Sequence, residues 1–147
     1  MTDNNNIPKK RKRPGLITLL VIVILILTLV HWTRFIQAWR NRAFLAALPL
    51  TVSPFYLTLE GFFWGLVGLP LIWGLWTGKP WARTAALLSG GLFALQQWGE
   101  LFWLAAPEVL ATRWLIALIL TVLGEGLLFL SLFSPNARRF FDQRPKV

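Results

Sequence analysis

The chain of 147 residues has no cysteine. That excludes disulfides, thiolate metal sites, thiol nucleophiles, cysteine-attached haem and disulfide relays to quinones. Acid is scarce too, six Asp and Glu against 15 Lys and Arg, and there is a single histidine. Charged residues make up 14% of the chain, where a globular domain has about a quarter. The deficit is not spread evenly: charge disappears over four long apolar stretches and returns between them. With 56% hydrophobic residues, that is the pattern of an all-α integral membrane protein.

A formal charge of +9 is of the sign that nucleic acid attracts. Much of the basic excess, however, sits in two tails beside apolar spans, where topology explains it, and no nucleic-acid partner is expected. No Walker, Rossmann, zincin or EF-hand pattern is present, and no cofactor or metal is expected.

In chain order, residues 1–15 form a polar tail with the basic run Lys9, Lys10, Arg11, Lys12 and Arg13, expected to be disordered. The apolar block that follows has the basic flank of a signal peptide but leads into His31-Trp32-Thr33-Arg34 without a small-residue cleavage site. It reads as an uncleaved first span over about 16–36. Residues 37–48 suggest a short interfacial helix, or an outward continuation of span one, ended before Pro49. Span two covers about 54–77, opening on Pro54. It carries Glu60, whose insertion its apolar residues offset at about 0.3 to 0.6 kcal/mol each against about 3 kcal/mol for one central charge.

Pro70 predicts a kink in span two, and Gly61, Gly65 and Gly68 give it a flat face for another helix. Gly78 as a stop and Pro80 as a restart make spans two and three antiparallel neighbours. The turn from Gly74 to Arg83 resembles turns in many small bacterial multispan proteins, a likeness of about ten residues that implies no function. Span three, about 81–105, is the least apolar. Its small or polar face of Ala82, Ala86, Ser89, Phe93, Gln97 and Glu100 predicts the helix most enclosed by the others. Span four runs over about 113–133 with Glu125 between Gly124 and Gly126. A basic tail, 135–147, follows, with Phe140 and Phe141 expected at the headgroups.

The expectation is therefore a four-span transmembrane helical bundle, 16–134, with both termini on one side. All but four of the 15 basic residues then face that side, the exceptions being Arg34, Arg40, Arg42 and Arg113. The positive-inside rule makes it cytoplasmic, in what reads as a bacterial cell membrane. Counting outward at about 1.5 Å per residue brings His31, Glu60, Gln97 and Glu100 to one level, roughly 6 to 11 Å outside the midplane, with Arg34 slightly beyond.

These five residues form the candidate polar pocket. Paired charges there suit a headgroup or polar ligand, or a proton relay; equally, Arg34 and one glutamate suit an ion pair that fixes helix register. Glu125 has no basic residue at its own depth. It is the candidate protonated intramembrane acid, donating to a carbonyl, Thr121 or Trp64.

Three function classes remain. The first is a non-enzymatic protein that binds lipid or assists a membrane complex, with the bilayer, a membrane-protein partner or a second copy as its partners. The second is an intramembrane enzyme working on a lipophilic substrate by carboxylate acid/base chemistry, similar in span count alone to lipid isomerases of the EXPERA type. The third is a proton-coupled transporter, which requires an oligomer. Two carboxyls facing one apolar cavity favour the enzyme; acids engaged by Arg34 or packed on glycine favour the first class.

Overall fold

The computed structural model describes residues 14–48, 52–103 and 107–142. The run Lys9 to Arg13, Pro49, the last residues of the expected third span and the tail beyond Asp142 lie outside them. The described residues form helices α1 (Gly15–Arg40), α2 (Arg42–Ala46), α3 (Pro54–Thr77), α4 (Pro80–Trp103), α5 (Pro107–Phe133) and α6 (Pro135–Asp142), with no strand among them. Three of these helices are long and apolar enough to cross a membrane: α1, α3 and the Arg113–Phe133 part of α5. The fourth expected span is α4, which equals α3 in length but carries Ser89, Gln96, Gln97, Glu100 and several glycines in place of Leu and Val. It falls short in apolarity, not in length.

Helix α1 runs on to Arg40, the outward continuation of span one that residues 37–48 also suggest, because no Gly or Pro interrupts it before the chain turns at Asn41. Only the five residues of α2 form a separate short helix there. At the other end, residues 135–142 of the basic tail are helical. Ala137, Phe140 and Phe141 recur at helical spacing and are buried, with Arg138 and Arg139 outward. The two phenylalanines therefore pack into the protein and not among headgroups.

Helix α3 starts at Ser53, whose Oγ accepts from the Phe55 amide at 3.2 Å, with Pro54 in the first turn. Ser53 thus satisfies a backbone donor that the helix itself cannot. The helix continues through Pro70 and ends at Gly78, at φ 68°. There the Lys79 amide donates to the Gly74 carbonyl at 2.8 Å and the Gly78 amide to the Leu75 carbonyl at 3.3 Å. This paired closure needs a left-handed residue. A Cβ at Gly78 would also lie 2.8 Å from the Phe140 ring. Gly78→Ala is therefore expected to cost about 1–2 kcal/mol, read as a loss of thermal stability in detergent.

Helix α1 lies along α3, the most extensive pairing in the molecule; α3 also meets α4, α4 meets α5, and α5 returns to α1. The glycines of α3 make the first contact possible. A Cβ at Gly61 would sit 2.8 Å from the Phe35 amide nitrogen and 3.0 Å from the His31 carbonyl oxygen. At Gly65 it would meet the Trp32 ring at 3.0 Å, and at Gly68 it would collide with Thr28 Oγ1. The Trp32 indole donates to the Gly65 carbonyl at 3.1 Å across this seam. Trp32 is thus a packing residue as well as one at the span's end.

The apolar core gathers at one end: Ile17, Leu20 and Val21 of α1 meet Leu71 and Leu75 of α3, Ala82 and Ala86 of α4, Leu128 and Leu132 of α5, and Ala137, Phe140 and Phe141 of α6. The other end is looser. In α4 only Ala82 and Ala86 are buried, so it is not the enclosed helix its small, polar face predicts. Its later residues meet α3 through hydrogen bonds from Tyr56 and Trp64 and through the Phe93 ring. Outward faces are apolar, with Leu29, Leu69, Leu120 and Leu130 all exposed. Hydrocarbon accepts such side chains, and the helices satisfy their own backbone groups.

Candidate functional site

Four turns of helix carry the polar groups of the looser end. On α1, His31 and Arg34 are one turn apart; on α3, Tyr56, Glu60 and Trp64 follow one another at four-residue steps, as do Gln96 and Glu100 on α4. This spacing stacks each set along one helix face. Two clusters result, not one.

The first is built on Glu60, 5% exposed. Arg34 Nη1 donates to Glu60 Oε1 at 3.1 Å, and Arg34 Nη2 lies 2.8 Å from Oε2. The second contact is close but poorly aligned as a hydrogen bond. Because the guanidinium fork meets both carboxylate oxygens, it fixes α1 and α3 in rotation and height together. His31 completes the cluster. Its Nδ1 is buried, 3.5 Å from Glu60 Oε1 and without a hydrogen-bond partner among the described residues. The Phe93 ring meets the imidazole edge-on at 5.7 Å between centroids.

The second cluster is built on Glu100. Tyr56 donates its hydroxyl to Glu100 Oε1 at 2.7 Å, and Gln96 Nε2 donates to the same oxygen at 2.9 Å. The Gln96 carbonyl in turn accepts from the Trp64 indole at 2.6 Å. Donors run in one direction, from Trp64 through Gln96 to Glu100, with Tyr56 entering from the side. Phe93 stands between the clusters, its ring 5.1 Å from that of Trp64.

No known family, curated protein or solved structure matches this chain.

The geometry alone therefore carries the functional reading. It brings together three of the five pocket residues, His31, Arg34 and Glu60, and it places Glu100 in a neighbouring network. Gln97 takes no part in either; Gln96, one residue earlier, fills that place. Counting residues measures height along a helix axis but is blind to rotation about it, and one residue is about 100° of rotation. The missed participants are Tyr56, Trp64 and Gln96, and the four-residue spacings to Glu60 and Glu100 were the signal for them.

Glu125 stands apart. It is half-buried opposite Gly90, where a Cβ would lie 3.3 Å from Glu125 Oε1. Among the described residues Glu125 makes no hydrogen bond to Thr121, and the Trp64 indole gives its N–H to Gln96. Among the described residues no three metal-ligating side chains come together, so His31, Glu60 and Glu100 do not form a cage.

Two open clefts adjoin the clusters. One, of about 540 Å³, is lined by Arg34, Gln37, Asn41, Phe44 and Leu57. The other, of about 470 Å³, is lined by Tyr56, Leu95, Gln96, Glu100 and Trp103, with Ser53 at its rim. Tyr56→Phe removes one hydroxyl donor from Glu100. It is expected to cost about 1 kcal/mol of stability, measured by denaturation in detergent, with the Arg34 and Glu60 pair intact.

Proposed function

We propose that this is an integral membrane protein of the bacterial cell membrane, a bundle of four spans with cytoplasmic termini, whose role is non-enzymatic: it binds lipid or supports a larger membrane complex. In this reading α4 is the fourth span. Its Glu100 and Gln96 bond to Tyr56 and Trp64 of α3, its Ala82 and Ala86 are buried, and the tightly closed turn at Gly78 sends it back antiparallel to α3. Lys79, Arg83, Arg138 and Arg139 then lie at the end where the core gathers, opposite Arg34, Arg40 and Arg42, in keeping with the positive-inside rule.

The observation that carries the role is the separation of the acids. Arg34 engages Glu60, Glu125 packs on Gly90, and Glu100 lies alone on its cleft. The carboxylate acid/base alternative calls for two carboxyls on one cavity, and neither of the two clefts beside the clusters is lined by two of them. An arrangement of charge that pairs helices and leaves one polar cleft suits binding.

Two measurements test this. The absence of native cysteine gives a clean background for topology. Thiol reagents that do not cross membranes are expected to label Asn41→Cys from outside the cell only, and Lys79→Cys and Asn136→Cys from the cytoplasmic side only. Protein purified in mild detergent is expected to retain lipid or a membrane-protein partner, and Glu60→Gln or Glu100→Gln to reduce that association. Unchanged association in both variants would sink the binding role. The transporter alternative requires an oligomer, so a monomer in detergent excludes it.

A further inference from the structure

Among the described residues Glu100, like Glu125, has no basic side chain at ion-pair distance; the contacts of Arg34 and His31 both go to Glu60. The protein holds Glu100 by one oxygen only, Oε1, which takes both Tyr56 and Gln96; Oε2 has no partner among the described residues. A carboxylate fixed this way is oriented but not saturated. Glu100 lines the 470 Å³ cleft together with Tyr56 and Ser53, each of which carries a hydroxyl. Tyr56 Oη already accepts from Gln96 Nε2 at 3.4 Å and Ser53 Oγ from the Phe55 amide at 3.2 Å, which leaves each hydroxyl oxygen one lone pair.

Three acceptor oxygens, one of them anionic, match the three N–H groups of a primary ammonium. They do not match a hard divalent cation, which takes six or so oxygens, several of them carboxylates. Trp103, 86% exposed in the last turn of α4, gives the cleft an aromatic face, and such faces attract cations.

The remainder of the cleft points to an amphiphile. Leu95 forms part of its wall, and Leu92 and Leu88 continue from it along the same face of α4, all three well exposed. A chain of methylenes laid on this track would have its polar end at Glu100. The cleft lies at the end of α3 and α4 away from Gly78, which in the proposed topology is headgroup level in the outer leaflet.

We infer that the Glu100 cleft binds the primary ammonium headgroup of a membrane lipid, of the ethanolamine phospholipid kind, with an acyl chain along Leu95, Leu92 and Leu88. The inference rests on the binding role proposed above and narrows it to one headgroup chemistry. Glu100 Oε2 accepts the charged N–H, Tyr56 and Ser53 take the other two, and Gln96 and Trp64 keep the carboxylate from turning away.

The test is lipid retention by native mass spectrometry of the full chain, after equilibration with mixed vesicles. These contain equal amounts of phosphatidylethanolamine, phosphatidylcholine and phosphatidylglycerol with identical acyl chains. Ethanolamine lipid is expected to be retained about tenfold over choline lipid, since the latter has no N–H to donate. Glu100→Gln is expected to abolish that preference. Gly99→Leu is expected to do the same by filling the cleft, because a Cβ at Gly99 would meet only the Trp103 ring, at 3.6 Å. It keeps the test alive if Glu100→Gln does not fold.

Equal retention of the three lipids, a preference for phosphatidylglycerol, or a preference unchanged in a folded Glu100→Gln or Gly99→Leu protein would overturn the headgroup assignment and leave a general lipid-binding role standing. No retained lipid at all would overturn both. Displacement of the bound lipid by free ethanolamine at millimolar concentration would show that the site takes a soluble amine, and would also overturn the assignment to a lipid.

Discussion

Replacing Arg34 with Ala is expected to destabilise the protein by roughly 3 kcal/mol, near the lower end for breaking a buried ion pair. The Glu60 side chain is 2% exposed and the Arg34 side chain 41%, so removing the arginine strips a carboxylate of its counter-charge without giving it water. The arginine, partly wetted in the wild type, loses less. Glu60→Gln is expected to cost less than Arg34→Ala, because an amide needs no counter-charge. The double variant Arg34→Met with Glu60→Leu is expected to recover most of the loss, since a pair of apolar side chains avoids desolvation altogether. Equilibrium unfolding in one detergent of the wild type, Arg34→Met, Glu60→Leu and the double variant gives the interaction energy directly. A double-variant loss equal to the sum of the two single losses would show that the pair contributes no coupling.

Gly61→Ala is expected to cost about 1–3 kcal/mol, the range for overpacking a closed interface. The added methyl group would meet the Phe35 amide nitrogen at 2.8 Å and the His31 carbonyl oxygen at 3.0 Å. Both are backbone atoms, and neither can turn aside as a side chain does. Helix α1 must then move off α3 as a whole, and it carries Arg34 with it. Gly91→Ala provides the contrast. Nothing lies within 4 Å of a Cβ there, so the exchange is expected to be neutral or to stabilise α4 by up to about 1 kcal/mol through helix propensity. Thermal denaturation of both variants in detergent separates a packing effect from a propensity effect, since the two predictions have opposite signs.

Height along the chain was legible in the sequence; rotation about each helix axis was not. The apolar runs, the stop at Gly78 and the glycine face of α3 all follow from local chemistry, and the structure shows the helices, the cap and the seam that they predict. Arg34 reached Glu60 because both a long side chain and an intervening glycine face favoured that meeting. Gln97 and Gln96, by contrast, differ only in direction, which depends on how α4 is turned against α3. The burial of Phe140 and Phe141 was hidden for another reason. An aromatic pair beside arginines suits a headgroup region as well as a short helix folded back on a core, and only the neighbours at Leu75, Gly78 and Ala82 decide between them. Glu125 shows the same limit. Its place along α5 was readable in the sequence, but its facing residue, Gly90, belongs to another helix.

The placement of the core has a consequence for the order of assembly. Ile17 near one end of the described chain and Phe140 and Phe141 near the other close on the same cluster, together with Leu75 and Ala82 from its middle. Helix α1 can dock on α3 as soon as both have been made, but the floor of the molecule stays open until residue 141 has left the ribosome. During synthesis, then, the first span waits for the last helix. A chain interrupted after Ser134 would lack Ala137, Phe140 and Phe141 and leave Leu75 and Ala82 without that cover.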